Sequence, residues 1–171
     1  MSKVNLYPLP QESFLQPYRE KGAYVDCYST TTAAHITTAE FIEAFYTTPL
    51  FKLERLILKW LVSRPSTDLQ ARQLARGEAS RFAAWRVEER SEEQLLMCDF
   101  QGKTRSWLMT GRLSTEPGAG TRLYFGSAVV PSENPETGET RMGPGFQALL
   151  GFHKLYSRAL LHSARSELEI R

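Results

Sequence analysis

The spacing of apolar residues changes near residue 80, and the change predicts two kinds of structure. Before it, after an opening strand, apolar positions recur at helical intervals; beyond it they alternate, until a final helical stretch. Residues 23–31 (AYVDCYSTT) are rich in aromatic and β-branched side chains and predict a first strand. At Thr37-Thr38-Ala39-Glu40 a threonine precedes a glutamate by three positions, the spacing at which side chains and backbone amides cap one another, so a helix should begin there. It runs through Phe41, Ile42, Phe45 and Tyr46 and breaks at Thr48-Pro49, because the residue before proline avoids helical angles. Pro49 suits a first helical turn, which predicts a second helix over 49–62. A third, over 68–76, should end at Gly77.

Residues 82–89, 94–100, 104–113 and 121–131 read as strands of an antiparallel meander, parted by short charged or glycine-rich turns. Residues 132–145, polar and dense in Gly and Pro, read as a mobile loop. Residues 146–169 give about six and a half turns of helix, long enough to lie across a sheet. Residues 1–22 carry Pro8, Pro10 and Pro17 and read as an irregular leader, leaving 23–171 as a single domain. The expected fold class is α+β.

Composition narrows the function. With 42% apolar and 23% charged residues the 171-residue chain is of the globular kind, and its size lets it bury roughly 70% of its unfolded surface. A net charge of +2, with 21 basic residues among 19 acidic ones, lacks the positive field that nucleic-acid binding needs. No apolar run approaches the ~20 residues that span a bilayer, so the chain is not expected to be transmembrane. Cys27 and Cys98 lie in apolar strand-like runs and the N-terminus lacks a secretory apolar region, which predicts two buried thiols in a cytoplasmic protein. There is no H-E-x-x-H, C-x-x-C, G-x-S-x-G or Walker loop, and His35, His153 and His162 are scattered. No cofactor or metal is expected.

The order of strand, helices, meander and long terminal helix resembles the helix-grip fold of the START and polyketide-cyclase (SRPBCC) superfamily. The resemblance covers residues 23–169 and is carried by that order, by residues 39–49 (AEFIEAFYTTP) and 121–127 (TRLYFGS), and by the helix from Phe146; it is similar to bacterial members. It implies a curved antiparallel sheet wrapped on the C-terminal helix, with a cavity between them for a hydrophobic small molecule or lipid. It does not choose among carriers, cyclases and hydrolases.

Six residues are candidates for that cavity. On a helical wheel Phe146, Leu149, Leu150, His153, Ser157, Leu160, Ala164 and Leu168 form one stripe, with His153 near its centre. In a grip fold His153 would face the sheet, as a proton donor or acceptor in the cavity or as a core histidine satisfied by a neighbour. The turn at Gln101-Gly102 suits a three-residue loop with the glycine left-handed, which pairs Asp99 with Lys103, Met97 with Arg105 and Leu95 with Trp107. Asp99, Arg105, Trp107 and Met109 would then share one face, as a pocket wall or as a solvated ion pair at a hairpin tip. Trp85 and Phe125 lie on the apolar phase of their strands and either line the cavity or fill it.

Three functions follow: a carrier of a hydrophobic molecule, an enzyme using His153 or Asp99 as general acid or base, or a membrane or partner surface over 49–62, where Lys52, Arg55 and Lys59 flank an apolar arc. Ligand identity and oligomeric state stay open at this level.

Overall fold

The computed structural model describes residues 3–53, 66–114, 116, 118–133, 140–141 and 146–170. Helix α1 (Gln16–Glu20) lies in the N-terminal segment. Helix α2 (Thr38–Thr47) starts at the expected capping box: Thr37 Oγ1 accepts the Glu40 N–H at 3.2 Å, and the Glu40 carboxylate accepts the Thr37 N–H at 2.8 Å. Thr48 ends it in extended backbone, its hydroxyl accepts the Phe51 N–H at 3.1 Å, and helical backbone resumes at Pro49. Beyond residue 53 the expected 49–62 helix, including Leu56, Ile57, Trp60 and Leu61, lies outside the described residues. Thr67 and Gln70 repeat the capping box for α3 (Asp68–Ala75), and Gly77 follows with φ +78°. Helix α4 (Phe146–Ile170) closes the chain.

Seven strands form one antiparallel sheet in the order β1 (Asn5–Leu6), β2 (Tyr24–Thr32), β7 (Thr121–Val129), β6 (Thr104–Arg112), β5 (Gln94–Asp99), β4 (Trp85–Arg90), β3 (Arg81–Phe82). The meander is as expected from β4 to β7. Pairing of β2 with β7 then brings distant residues together, Asp26 opposite Ser127 and Tyr28 opposite Phe125.

Strand alternation sends side chains to two separate cores. The inner face presents Tyr28, Leu95, Met97, Leu108, Leu123 and Phe125 to α2, α3 and α4. From α4 it receives Leu160, Ala164 and Leu168, which follow the wheel, and Leu161 beside that stripe. The outer face presents Cys27, Leu96, Trp107, Met109 and Tyr124, and what covers it is the N-terminal segment, with Leu15 wholly buried and Tyr7, Leu9, Phe14 and Tyr18 packed around it.

Four expectations change. Residues 1–22 contain β1 and α1, and Gln94 fastens them by accepting the Phe14 N–H and donating to the Glu12 carbonyl, a long-range tie that local composition does not show. The 82–89 strand is split by Ala83, which takes φ 51°, and Phe82 pairs with Trp85. Residues 132–145 include a small ladder of β8 (Ser132–Glu133) with β9 (Thr140–Arg141). The 101–102 hairpin is one register step from the expected one: Leu96 faces Trp107 and Cys98 faces Arg105. Its turn is governed by Asp99, whose Oδ1 accepts the N–H groups of both Lys103 and Thr104 at 2.7 and 3.0 Å. Asx capping thus lengthens the loop, and the one-residue slip exchanges faces.

Candidate functional site

Between the inner face and α4 lies a cavity of about 230 Å³. Its walls are mostly ring and alkyl carbon, from Phe45, Phe51, Trp85, Phe125, Tyr156 and Leu160, with the hydroxyl residues Ser106, Ser127 and Ser157 and the imidazole of His153 interspersed. Engineered apolar cavities of roughly 150 Å³ hold benzene and drug-sized ligands occupy roughly 300 Å³ or more, so this space suits one ring and its substituents.

The polar wall is built by strand pairing. Asp26 falls on the inner phase of β2 and is 6% exposed, opposite Ser127 on β7. Asp26 Oδ1 accepts the Ser127 hydroxyl at 2.6 Å and the Ser127 N–H at 3.2 Å, and Oδ2 accepts the Tyr24 hydroxyl at 3.3 Å. His153 descends from α4 onto this pair, with Nε2 2.7 Å from Ser127 Oγ and 3.2 Å from Asp26 Oδ2. Burial, then the charge of Asp26, pushes the Tyr24 phenol up from its ordinary value, and the same two causes push the Cys27 thiol to about 12.

This is not a nucleophile relay. In a serine triad the acid and the serine hold opposite ring nitrogens. Here both sit on Nε2 and the serine proton is committed to the carboxylate, so Ser127 is not activated for attack. The group can instead orient an imidazole and exchange a proton through its other nitrogen. Ser157, 1% exposed, also lines the cavity, and among the described residues its hydroxyl has no hydrogen-bond partner.

Of the six expected site residues, Trp85 and Phe125 from the inner face and His153 from α4 meet at the cavity, and Arg105 reaches its rim. Arg105 is otherwise an outer-face residue: Nε lies 3.0 Å from Glu88 Oε2 and donates to the Tyr18 hydroxyl at 3.0 Å. Asp99 is spent on the hairpin turn. Trp107 is buried in the outer core, donating its indole N–H to Gln94 at 2.8 Å. Ser127 on the cavity wall and Asp26 behind it are the polar residues that sequence reasoning missed; the available signal was a carboxylate on the inward phase of an otherwise apolar and β-branched strand.

Cys27 and Cys98 are free and buried. Among the described residues no cluster of three or more His, Cys, Asp or Glu could hold a metal ion, and no helix is long and apolar enough to cross a membrane. Comparison with protein-family models, curated proteins and solved structures finds no match.

Proposed function

We propose that the protein binds a small hydrophobic molecule between its sheet and its C-terminal helix, in the manner of the helix-grip fold of the START and polyketide-cyclase superfamily. The observation that carries this reading is a cavity of about 230 Å³ walled mostly by aromatic and aliphatic side chains, with a few polar groups among them, Ser127 and His153 in mutual contact. Such a distribution, mostly apolar with a few convergent polar groups, is what orients a ligand by one end while its body stays dry. The element order supports the superfamily reading, and two free buried thiols suit a reducing compartment such as the cytoplasm.

Native mass spectrometry of protein purified from its own source tests the reading. A co-purifying small mass is expected, and it should vanish in a Ser106→Phe variant, whose ring would occupy the cavity. Protein that carries no added mass and gains no thermal stability from any apolar ring compound would overturn it.

A second reading, acid–base catalysis on the bound molecule, is favoured by the contact of His153 with the Asp26 carboxylate. Asp99 has no part in it. A His153→Ala variant that keeps the ligand but loses its conversion would support catalysis; a ligand recovered unchanged from both proteins would leave binding alone.

A further inference from the structure

The contacts around Asp26 determine which nitrogen of His153 carries a proton. The Ser127 N–H can only donate, and it reaches Asp26 Oδ1 at 3.2 Å, with the Ser127 hydroxyl 2.6 Å from the same oxygen. An ionised carboxylate has no proton to give, so the single hydroxyl proton points at Oδ1. Ser127 Oγ is therefore an acceptor toward His153 Nε2, 2.7 Å away. Asp26 Oδ2, 3.2 Å from that nitrogen, is another acceptor. With two acceptors facing it, Nε2 must hold the hydrogen, and the neutral ring keeps its lone pair on Nδ1. Among the described residues Nδ1 has no hydrogen-bond partner, while the side chain is 32% exposed and forms part of the cavity wall.

We infer that His153 Nδ1 is the cavity's hydrogen-bond acceptor and that it selects an apolar, ring-sized molecule bearing a hydroxyl group, with Asp26 setting the tautomer. The inference rests on the binding reading above and adds the ligand's chemical class. An ether or ketone offers Nδ1 no proton. A carboxylate would bring a second negative charge toward buried Asp26, and Arg105, the cation among the described lining residues, is already held by Glu88. A hydroxyl fits both protonation states of the ring without ionising, donating to a bare Nδ1 and accepting from Nδ1–H when the ring is an imidazolium.

Two measurements test this. Nitrogen-15 imidazole spectra of the free protein, taken at alkaline pH so that the ring is neutral, should show the Nε2–H tautomer for His153; the Nδ1–H tautomer would overturn the inference whatever binds. Calorimetric titration with p-cresol, 4-methylanisole and toluene should then rank p-cresol about tenfold tighter than the other two, the value of one hydrogen bond to a preformed acceptor. Equal affinities, or a preference for the ether, would remove hydroxyl selection and leave the binding reading intact. Failure of all three to bind would remove the binding reading and this inference with it.

An Asp26→Asn variant sharpens the outcome. The Ser127 N–H holds the amide oxygen at the Oδ1 position, which turns the amide nitrogen toward Nε2 and moves the ring proton to Nδ1. The p-cresol advantage should disappear, and its persistence in the folded variant would contradict the role given to Asp26. The tautomer spectra need no variant, so a misfolded mutant does not blunt the test.

Discussion

Asp26 Oδ2 and His153 Nε2 stand 3.2 Å apart, so the strand that begins the inner face is tied to the helix that covers it. The tie also satisfies buried polar groups, since Asp26 accepts from both the N–H and the hydroxyl of Ser127. An Asp26→Ala substitution leaves these donors buried without an acceptor, a loss of about 1–3 kcal/mol. For a chain of this length that corresponds to a melting point lower by roughly 3–10 °C, readable by calorimetry. An unchanged melting point would mean that the contact contributes nothing to holding helix against sheet.

The outer face makes a different prediction. Gln94 Oε1 accepts from both the Trp107 indole at 2.8 Å and the Phe14 amide at 3.1 Å, and its amide group donates to the Glu12 carbonyl at 2.9 Å. One side chain thus docks the N-terminal segment onto the sheet. Gln94→Leu should weaken the fold by about 1–3 kcal/mol, and residues 7–22 should lose hydrogen-exchange protection before the strands do. Protection lost evenly over the whole molecule would contradict the docking role.

What could be foreseen divides by the range of the interactions. The capping box at Thr37, the break at Pro49 and the buried stripe through Leu160, Ala164 and Leu168 all depend on neighbours within a few residues, and all stand as expected. The faces of Asp99 and Trp107 did not, because a side-chain cap inside the turn, rather than its glycine, fixed the register. The polar wall of the cavity was hidden for a third reason: Asp26 and Ser127 are 101 positions apart and meet only through pairing of the first long strand with the last. Leu15 is buried through another long-range contact, the packing on the outer face of a segment whose prolines argued locally for an irregular leader.

Glu88 gives the acid side of stability a specific origin. Burial raises its carboxyl, but hydrogen bonds from Tyr18 and Arg105, with the Arg105 charge, outweigh burial and hold it below the usual carboxylate range. A depressed folded value stabilises the fold above the unfolded carboxyl value near ~4.3 and withdraws that stabilisation as pH falls through the folded one. Urea midpoints should therefore decline below about pH 4, and Glu88→Gln should be weaker at neutral pH yet decline less steeply. The group is part-buried and its contribution is modest after screening by solvent. Parallel pH profiles for the two proteins would exclude it as a source.

Gly126 leaves no room for a side chain between the sheet and the segment that covers it. It lies on the outer phase of β7, and a Cβ there would sit 2.8 Å from the Asp26 carbonyl oxygen, 2.9 Å from Leu15 Cδ1 and 2.9 Å from Trp107 Cε3. Two of these atoms belong to fully buried side chains and one to the backbone of the partner strand, so little can give way. Gly126→Ala should destabilise the protein by about 1–3 kcal/mol through overpacking, with the Leu15 segment displaced first. Because Gly126 flanks Ser127, the same substitution should disturb the Asp26 pairing beneath it and weaken ligand binding without touching the cavity wall. Pairing it with Leu15→Ala, which removes one of the three clashes, should recover less stability than Leu15→Ala itself loses, yet the double variant should fall short of the sum of the two single losses. Additive losses in the denaturation midpoints would show that the methyl group is accommodated elsewhere.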